Sequence, residues 1–238
     1  MRLDKAAALA GLTRTEAKRA IAAGRVQVNG RPARDAAMQV EPGAVTLDGA
    51  ASEAPGEVYL MVHKPAGVLT ATEDRRLPTV GDLLPEALRR RSPGPVGRLD
   101  RDVTGLVLMT TDGQLAHRLI SPKWKAEKVY RARCEGRLTE ADAQAFAAGV
   151  ALSDFTARPA GMEILEAADE ASLADVTLTE GKFHQVKRMF AAIGHPLIAL
   201  ERRSIGGVAL DEALAPGEWR PLTEDEVRAL KRLCGLES

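Results

Sequence analysis

One aspartate in this sequence lies where a carboxylate can do chemistry. Asp100 stands between two arginines in the run Gly97-Arg98-Leu99-Asp100-Arg101-Asp102-Val103-Thr104-Gly105. This run is typical of a loop, and the apolar residues 106–109 that follow have the length of a strand. Asp100 is therefore predicted at a loop–strand junction, where a carboxylate can serve as a covalent nucleophile. The alternative is a turn or capping aspartate.

A tyrosine lies within a basic segment farther along the chain. Tyr130 falls in Lys128-Val129-Tyr130-Arg131, and the whole chain has only eight aromatic residues. An aromatic ring among phosphate-binding side chains suits stacking on an unstacked nucleobase, worth about 1–3 kcal/mol. The alternative is a strand residue whose ring packs in the core.

Residues 180–190 begin with a turn and continue as a predicted helix. At about 100° per residue, one face holds Phe183, Val186, Phe190 and Ile193. Lys187 lies at the edge of that face and can reach a partly buried acid, whose ionised form a cation favours. Arg188 lies on another side and is better placed for phosphate or solvent. The alternative is an ordinary amphipathic helix with a basic outer face.

The sequence lacks the spacings of several other catalytic and metal-binding sites. The four histidines show no metal-ligand spacing, and no serine lies in a Gly-x-Ser-x-Gly elbow. Cys134 and Cys234 form no metal or redox motif, so we predict reduced thiols. Asp102 either pairs with Asp100 as a second carboxylate or braces the loop. No signal peptide or membrane span is predicted, so we expect a soluble protein in the cytoplasm.

The charges are balanced overall but separated along the chain. The 238 residues carry 33 basic and 33 acidic side chains, yet residues 1–34 hold eight bases and two acids. Residues 118–133 hold six bases and one acid, whereas residues 163–180 hold six acids and no base. Separate basic surfaces are typical of proteins that bind nucleic acids, although a basic stretch can also be a solvated face.

The first 48 residues predict a small unit of helix and hairpin. Thr13-Arg14-Thr15-Glu16 fits a capping box and Gly24 a helix stop, so a helix is expected over 14–23. This helix presents Arg14 and Lys18 one turn apart. An alternating strand then leads into an Asn29-Gly30 turn, and a short strand follows at 44–48. Such a unit is either a cap on a larger domain or a compact RNA-binding module.

Residues 49–57 have the composition of a linker, so we predict a second domain over 58–238. Strands are expected at 58–62, 106–109, 129–135, 160–165, 174–179 and 197–201, and helices at 139–149, 183–193 and 223–233. These elements are mixed without regular βαβ alternation. The pattern predicts the α+β class rather than a doubly wound sheet.

The N-terminal unit resembles the S4 domain. The similarity lies in Arg2-Leu3-Asp4-Lys5, in residues 12–21 and in Gly24-Arg25-Val26-Gln27-Val28-Asn29-Gly30. It implies binding to structured RNA through the helix and the hairpin, with Arg14, Lys18 and Arg25 at contact positions.

The whole chain resembles the RsuA-type pseudouridine synthases. The similarity is carried, in order, by Lys64-Pro65-Ala66-Gly67, residues 97–110, Lys128-Val129-Tyr130, residues 184–190 and Arg202-Arg203-Ser204-Ile205-Gly206-Gly207. It implies a catalytic domain built on a mixed, mostly antiparallel sheet flanked by helices. It also implies isomerisation of uridine to pseudouridine without cofactor or metal.

The same resemblance implies a role for each site residue. Asp100 would be the nucleophile, Tyr130 would stack on the base and assist proton removal, and Leu200 would line the pocket. Lys187 would pair with Asp100, with Arg188 as the alternative partner. The target base must leave the RNA stack to reach a buried acid. Arg98 would fill the space that it vacates, and Lys128 and Arg188 would contact RNA.

The resemblance further implies a small-subunit ribosomal RNA substrate, bound by a monomer, with uridine 516 of 16S RNA as the expected target. The alternatives are a uridine in large-subunit RNA, a non-catalytic RNA-binding protein of ribosome assembly, and a hydrolase that uses Asp100 on a small substrate. A hydrolase would have no use for the basic N-terminal unit.

Overall fold

A computed structural model describes residues 1–8, 10, 12–51 and 56–236. It divides into two compact units, which are described separately. The first contains Met1–Val58 and Pro85–Ser92, and the second contains Tyr59–Leu84 and Pro93–Ser238. The predicted linker lies partly outside the described residues, at 52–55, and the boundaries at 48 and 58 stay predictions.

The first unit packs two helices against a small sheet. Its helices are α1 (Leu3–Ala8), α2 (Arg14–Ala22) and α3 (Glu86–Arg90), with a 3₁₀ turn at Pro42–Ala44. Within the described residues its strands are β1 (Val26–Val28), β2 (Arg31–Pro32), β3 (Val45–Leu47) and β4 (Ala50–Ala51), in the order β2-β1-β3-β4. The α1 and α2 helices bury Leu3, Ala17 and Ile21 against Val26 and Val45.

Local sequence signals explain this unit. The predicted capping box is confirmed, because the Glu16 amide donates to Thr13 Oγ1 at 3.2 Å and the Thr13 amide donates to Glu16 Oε2 at 2.7 Å. The predicted hairpin is also confirmed, with Asn29 and Gly30 at φ 50° and 76° between β1 and β2. Positive φ at both central residues is the geometry that Asn-Gly favours in a two-residue turn.

The second unit is built on a mixed sheet. In the described part of the chain its nine strands are β5 (Tyr59–Lys64), β6 (Gly94–Pro95), β7 (Thr104–Thr110), β8 (Lys128–Glu135), β9 (Gly161–Ala167), β10 (Ala171–Leu178), β11 (Leu197–Ile205), β12 (Val208–Ala209) and β13 (Trp219–Pro221). The main order is β13-β5-β7-β11-β8-β10-β9, with β6 beside β7 and β12 beside β11. Only β7 and β11 pair in parallel among these described strands. The α+β prediction is confirmed.

Four helices flank this sheet in the part that the structure describes: α4 (Gly113–Ile120), α5 (Glu140–Ala148), α6 (Gln185–Ala192) and α7 (Glu224–Leu233). The sequence predicted α5, α6 and α7 to within a few residues but not α4. The expected apolar face of α6 is wrong at one position. His184 precedes the helix in a left-handed conformation, so Phe183 lies outside the helix and is exposed, whereas Val186 and Phe190 are buried.

A close approach between β7 and β11 fixes the centre of the sheet. Gly105 on β7 has φ 102°, and a Cβ there would lie 2.3 Å from the carbonyl oxygen of Arg202 on β11. Only glycine fits this position without moving backbone. The pairing brings the start of β7, directly after the Asp100 loop, beside the part of β11 that holds Leu200.

Candidate active site

The loop that carries Asp100 is held through its backbone. Lys64, at the end of β5, is fully buried, and its ammonium donates to the carbonyl oxygens of Pro65, Arg101 and Val103 at 3.0, 3.1 and 2.7 Å. Burial lowers the Lys64 pKa to about 8. Two of these three carbonyls flank Asp100 on its C-terminal side, so the amine anchors the loop there.

A threonine anchors the other side of Asp100. The Thr70 hydroxyl donates to the Leu99 carbonyl at 2.8 Å and accepts from the Leu99 amide at 3.1 Å. Thr70 and Leu99 are both buried. The backbone around Asp100 is therefore fixed on both sides by groups that do not touch its carboxylate.

The Asp100 carboxylate lies beside two side chains from the start of α6. Lys187 Nζ is 3.3 Å from Asp100 Oδ2, and His184 Nε2 is 3.5 Å from Asp100 Oδ1. The sequence placed Lys187 at this position, but it gave His184 no role at Asp100. No local pattern predicts the contact, because His184 and Asp100 lie far apart in the sequence.

Lys187 also binds the second aspartate of the loop. Its Nζ lies 2.7 Å from Asp102 Oδ1 and 2.9 Å from Oδ2. Burial alone would lower the Lys187 pKa, but its hydrogen bonds to Asp102 and Asp100 outweigh that effect and raise it above the ordinary value. The same ammonium lowers the pKa of Asp102. One cation thus bridges both carboxylates.

Arg188 points to a different partner. Its guanidinium pairs with the carboxylate of Asp154, lies 3.2 Å from the Ser153 hydroxyl and sits over the Phe155 ring at 5.3 Å. Between the two candidates, the structure therefore brings Lys187 to Asp100 and holds Arg188 elsewhere.

Asp100 lines a small cleft with a cavity volume of about 80 Å³. Its apolar walls include Tyr130 and Leu200, which are both buried, together with Leu99, Val103 and Leu178. Exposed Arg98 and Lys182 also line it. In such a cleft the carboxylate can attack an electrophilic carbon, and the apolar walls can hold a flat base against the Tyr130 ring.

A short network fixes the turn that leads into α6. The Gln185 side chain accepts from the Lys182 amide at 2.9 Å and donates to Glu180 Oε1 at 2.6 Å. Gln185 is buried, and Glu180 also accepts from the Arg158 amide at 2.8 Å. Because His184 follows this turn, its ring is positioned toward Asp100. No sequence motif predicts this network.

The other predicted RNA-binding residues have varied surroundings. In the first unit Arg14 and Lys18 are exposed on α2, and Arg25 pairs with Asp48, with Nε 2.9 Å from Oδ1. In the second unit Lys128 donates to the Ala126 carbonyl at 2.9 Å, and burial lowers its pKa. Arg14, Lys18 and Arg25 are therefore exposed, whereas Lys128 is half-buried.

Two general features complete the description. Within residues 1–8, 10, 12–51 and 56–236, no cluster of three or more His, Cys, Asp or Glu side chains has the geometry to hold a metal ion. None of the described helices is long and apolar enough to cross a membrane.

Comparisons with known proteins agree with this geometry. The RNA pseudouridylate synthase family model matches residues 58–192, and the S4 domain model matches residues 1–45. An uncharacterized RNA pseudouridine synthase of Bacillus subtilis is 44% identical, covering 97% of this chain and 98% of that protein. Ribosomal small subunit pseudouridine synthase A of Escherichia coli K12 is 42% identical, covering 97% of this chain and 100% of that protein.

A solved structure supports the same assignment. The crystal structure of a pseudouridylate synthase, 37% identical in sequence, covers 97% of this chain and 99% of that one with a TM-score of 0.69. The chain therefore belongs to the RNA pseudouridylate synthase family, as an enzyme with an N-terminal S4 domain.

Proposed function

We propose that this enzyme isomerises a uridine of small-subunit ribosomal RNA to pseudouridine, with Asp100 as the nucleophile and uridine 516 of 16S RNA as the target. The observation that carries the mechanism is the Asp100 carboxylate at the cleft, 3.3 Å from Lys187 and beside Tyr130 and Leu200. The choice of RNA is supported by the Escherichia coli relative, which aligns along its full length and is named for the small ribosomal subunit.

The reaction is balanced without a redox partner. Asp100 adds to C1′ of the ribose or to C6 of the base, and the N1–C1′ bond breaks. The uracil turns within the cleft, and a C5–C1′ bond forms. C5 then loses its proton, N1 gains one, and the carboxylate is released unchanged. Since substrate and product are isomers, neither an oxidant nor a group donor is needed.

The remaining residues hold the base and the charges. Tyr130 stacks on the uracil and assists removal of the C5 proton, and Leu200 closes the pocket wall. Lys187 stabilises the Asp100 carboxylate. The target uridine leaves the RNA stack to reach Asp100, and Arg98 fills its place.

RNA binding extends beyond the cleft in this proposal. Arg14, Lys18 and Arg25 of the S4 domain contact the RNA backbone, as do Lys128 and Arg188 of the catalytic domain. We assign residues 1–48 to the S4 domain, 49–57 to a linker and 58–238 to the catalytic domain. The enzyme works as a monomer in the cytoplasm, on RNA that is being assembled into ribosomes.

A mapping experiment tests this proposal. Small-subunit RNA, naked and as an assembly particle, is incubated with enzyme, treated with carbodiimide and read by reverse transcription. We expect one new pseudouridine with the unaltered chain and none with Asp100→Asn, while RNA binding by Asp100→Asn persists. Asp102→Asn serves as a control that alters the neighbouring carboxylate.

Each other outcome contradicts a separate part of the proposal. Conversion by Asp100→Asn would refute the nucleophile. A product only in large-subunit RNA would refute the substrate, and no product in either RNA would favour a non-catalytic role in ribosome assembly.

A further inference from the structure

An exposed aromatic ring stands beside the cleft without a part in the mechanism above. Phe183 is 76% exposed, the most exposed of the large hydrophobic side chains in the described residues. Its two sequence neighbours, Lys182 and His184, both line the cleft. Leaving a phenylalanine ring in water forgoes the free energy of burial, so a ring exposed at this place is suited to a ligand.

The Phe183 ring is held in a defined orientation. It stacks on the His184 imidazole with ring centroids 3.7 Å apart and an interplanar angle of 18°. His184 in turn has a left-handed backbone with φ 50°, which is uncommon for a residue with a side chain. Its Nε2 lies 3.5 Å from Asp100 Oδ1. The exposed face of the Phe183 ring is therefore held in a defined position relative to the Asp100 carboxylate, because the His184 imidazole contacts both groups.

Cationic groups accompany this ring. Lys182 is exposed, lines the cleft and lies 3.4 Å above the centre of the Phe155 ring. Arg98 is also exposed on the cleft. A flat apolar face beside exposed cations matches a single-stranded nucleotide, whose base stacks while its phosphate meets the positive charge. A peptide or an apolar small molecule would not need the cations.

We propose that Phe183, stacked on His184, is a binding subsite for the nucleobase next to the target uridine in the RNA chain. Once the uridine has turned into the cleft, each of its two neighbours loses a stacking partner in the RNA. Arg98 fills the vacated place against one neighbour, and Phe183 stacks on the other. This inference rests on the proposed function. It adds a second base-stacking site, outside the cleft, to the ring of Tyr130 within it.

The test combines a protein change with a matching RNA change. The substrate is a ligated small-subunit RNA fragment with the target uridine, made either intact or with an abasic ribose at the 5′ or the 3′ neighbour. KM and kcat for pseudouridine formation are measured for the unaltered enzyme and for Phe183→Ala, Phe183→Leu and Phe183→Trp. Leu165→Ala is the control, because Leu165 is another exposed apolar residue, on β9.

The expected pattern is specific to stacking. Phe183→Ala raises KM about 10-fold to 100-fold on intact RNA with kcat changed less, as the loss of one base–aromatic stack predicts. An abasic ribose at one neighbour raises KM equally for the unaltered enzyme and adds nothing for Phe183→Ala. Phe183→Trp binds as the unaltered enzyme, Phe183→Leu is intermediate, and Leu165→Ala has no effect. Thermal melting of Phe183→Ala is unchanged, because the ring is exposed.

Two results overturn the inference while leaving the proposed function intact. One is an unchanged KM for Phe183→Ala. The other is that the abasic ribose raises KM for Phe183→Ala by the same factor as for the unaltered enzyme, so that the two effects multiply. Absence of pseudouridine with the unaltered enzyme on intact RNA would instead refute the proposed function.

Discussion

Replacing Lys187 by methionine tests whether the charge beside Asp100 drives the reaction. Methionine keeps most of the length and apolar character of the side chain but removes the ammonium. The Lys187 Nζ to Asp100 Oδ2 distance is 3.3 Å, at which two unit charges attract by about 1.3 kcal/mol in bulk water and about 5 kcal/mol at an effective dielectric constant of 20.

The exposure of the pair sets the magnitude between these limits. The side chains of Lys187 and Asp100 are 26% and 31% exposed, so solvent screens part of their attraction. As Asp100 reacts, its negative charge passes onto the uracil in the same cleft, where the Lys187 ammonium still stabilises it. Removing the ammonium should then cost about 1.4–2.8 kcal/mol in transition-state stabilisation, which is about 10-fold to 100-fold in kcat. The measurement is release of tritium from C5 of labelled uridine in RNA, at pH 7.

Two matched variants separate the effect of the Lys187 charge on Asp100 from the other roles that Lys187 could have. Arg188→Met should change kcat less than about threefold, since Arg188 pairs with Asp154 rather than with Asp100, and the loss of its proposed RNA contact should appear in KM. Asp102→Asn should also leave kcat within about threefold, because the Lys187 ammonium remains beside Asp100. If Asp102→Asn were as damaging as Lys187→Met, the lysine would act by bracing the loop. If Arg188→Met were as damaging, the assignment of Lys187 would be wrong.

Two further predictions concern the groups that position the loop. The folded-state pKa of Lys64 is about 8, below the ordinary value of 10.5. Between pH 8 and pH 10.5 the unfolded chain therefore binds more protons at this residue than the folded chain does. The contribution of Lys64 to the free energy of unfolding consequently rises with pH across that window. Urea unfolding should show the free-energy difference between the unaltered chain and Lys64→Met widening by up to about 3 kcal/mol from pH 7 to 10.5, and a constant difference would contradict this. Gly105→Ala should lower the free energy of unfolding by about 2–4 kcal/mol because its Cβ meets the Arg202 backbone at positive φ. The control Gly113→Ala, at the first residue of α4, has open space around its Cβ and should stabilise by about 0.4–1 kcal/mol, so an equal loss in both variants would refute the steric argument.

Short-range signals made much of this structure predictable. The Thr13 and Glu16 pair and the Asn29-Gly30 turn act over a few residues, so their geometry follows from local chemistry. The loop around Asp100 was equally readable, since a polar, glycine-bounded run precedes an apolar strand. The edge position of Lys187 on α6 followed from helical periodicity alone.

Long-range contacts were not predictable in the same way. Lys64 lies far from Arg101 and Val103 in sequence, and no local pattern shows that its ammonium ends on their carbonyls. The outward Phe183 has a different cause. The helical periodicity was applied as if the helix included Phe183. The left-handed His184 and the Gln185 network instead make α6 begin at Gln185, after Phe183.

The site divides two tasks between different parts of the fold. Backbone position is set by Lys64 and Thr70, which bind carbonyls and an amide on both sides of Asp100 and do not touch its carboxylate. Charge is supplied by Lys187 of α6, whose ammonium contacts the carboxylates of both Asp100 and Asp102. The His184 imidazole, from the turn before α6, also lies beside the Asp100 carboxylate. Because the backbone anchors persist when an α6 side chain is changed, substitutions at Lys187 alter the electrostatics of Asp100 and remove a contact to Asp102 but leave the backbone on both sides of Asp100 held. Substitutions at Thr70 do the reverse, because its hydroxyl holds the Leu99 backbone and carries no charge. Comparing the Lys187 and Thr70 substitutions therefore separates the contribution of placement from that of charge.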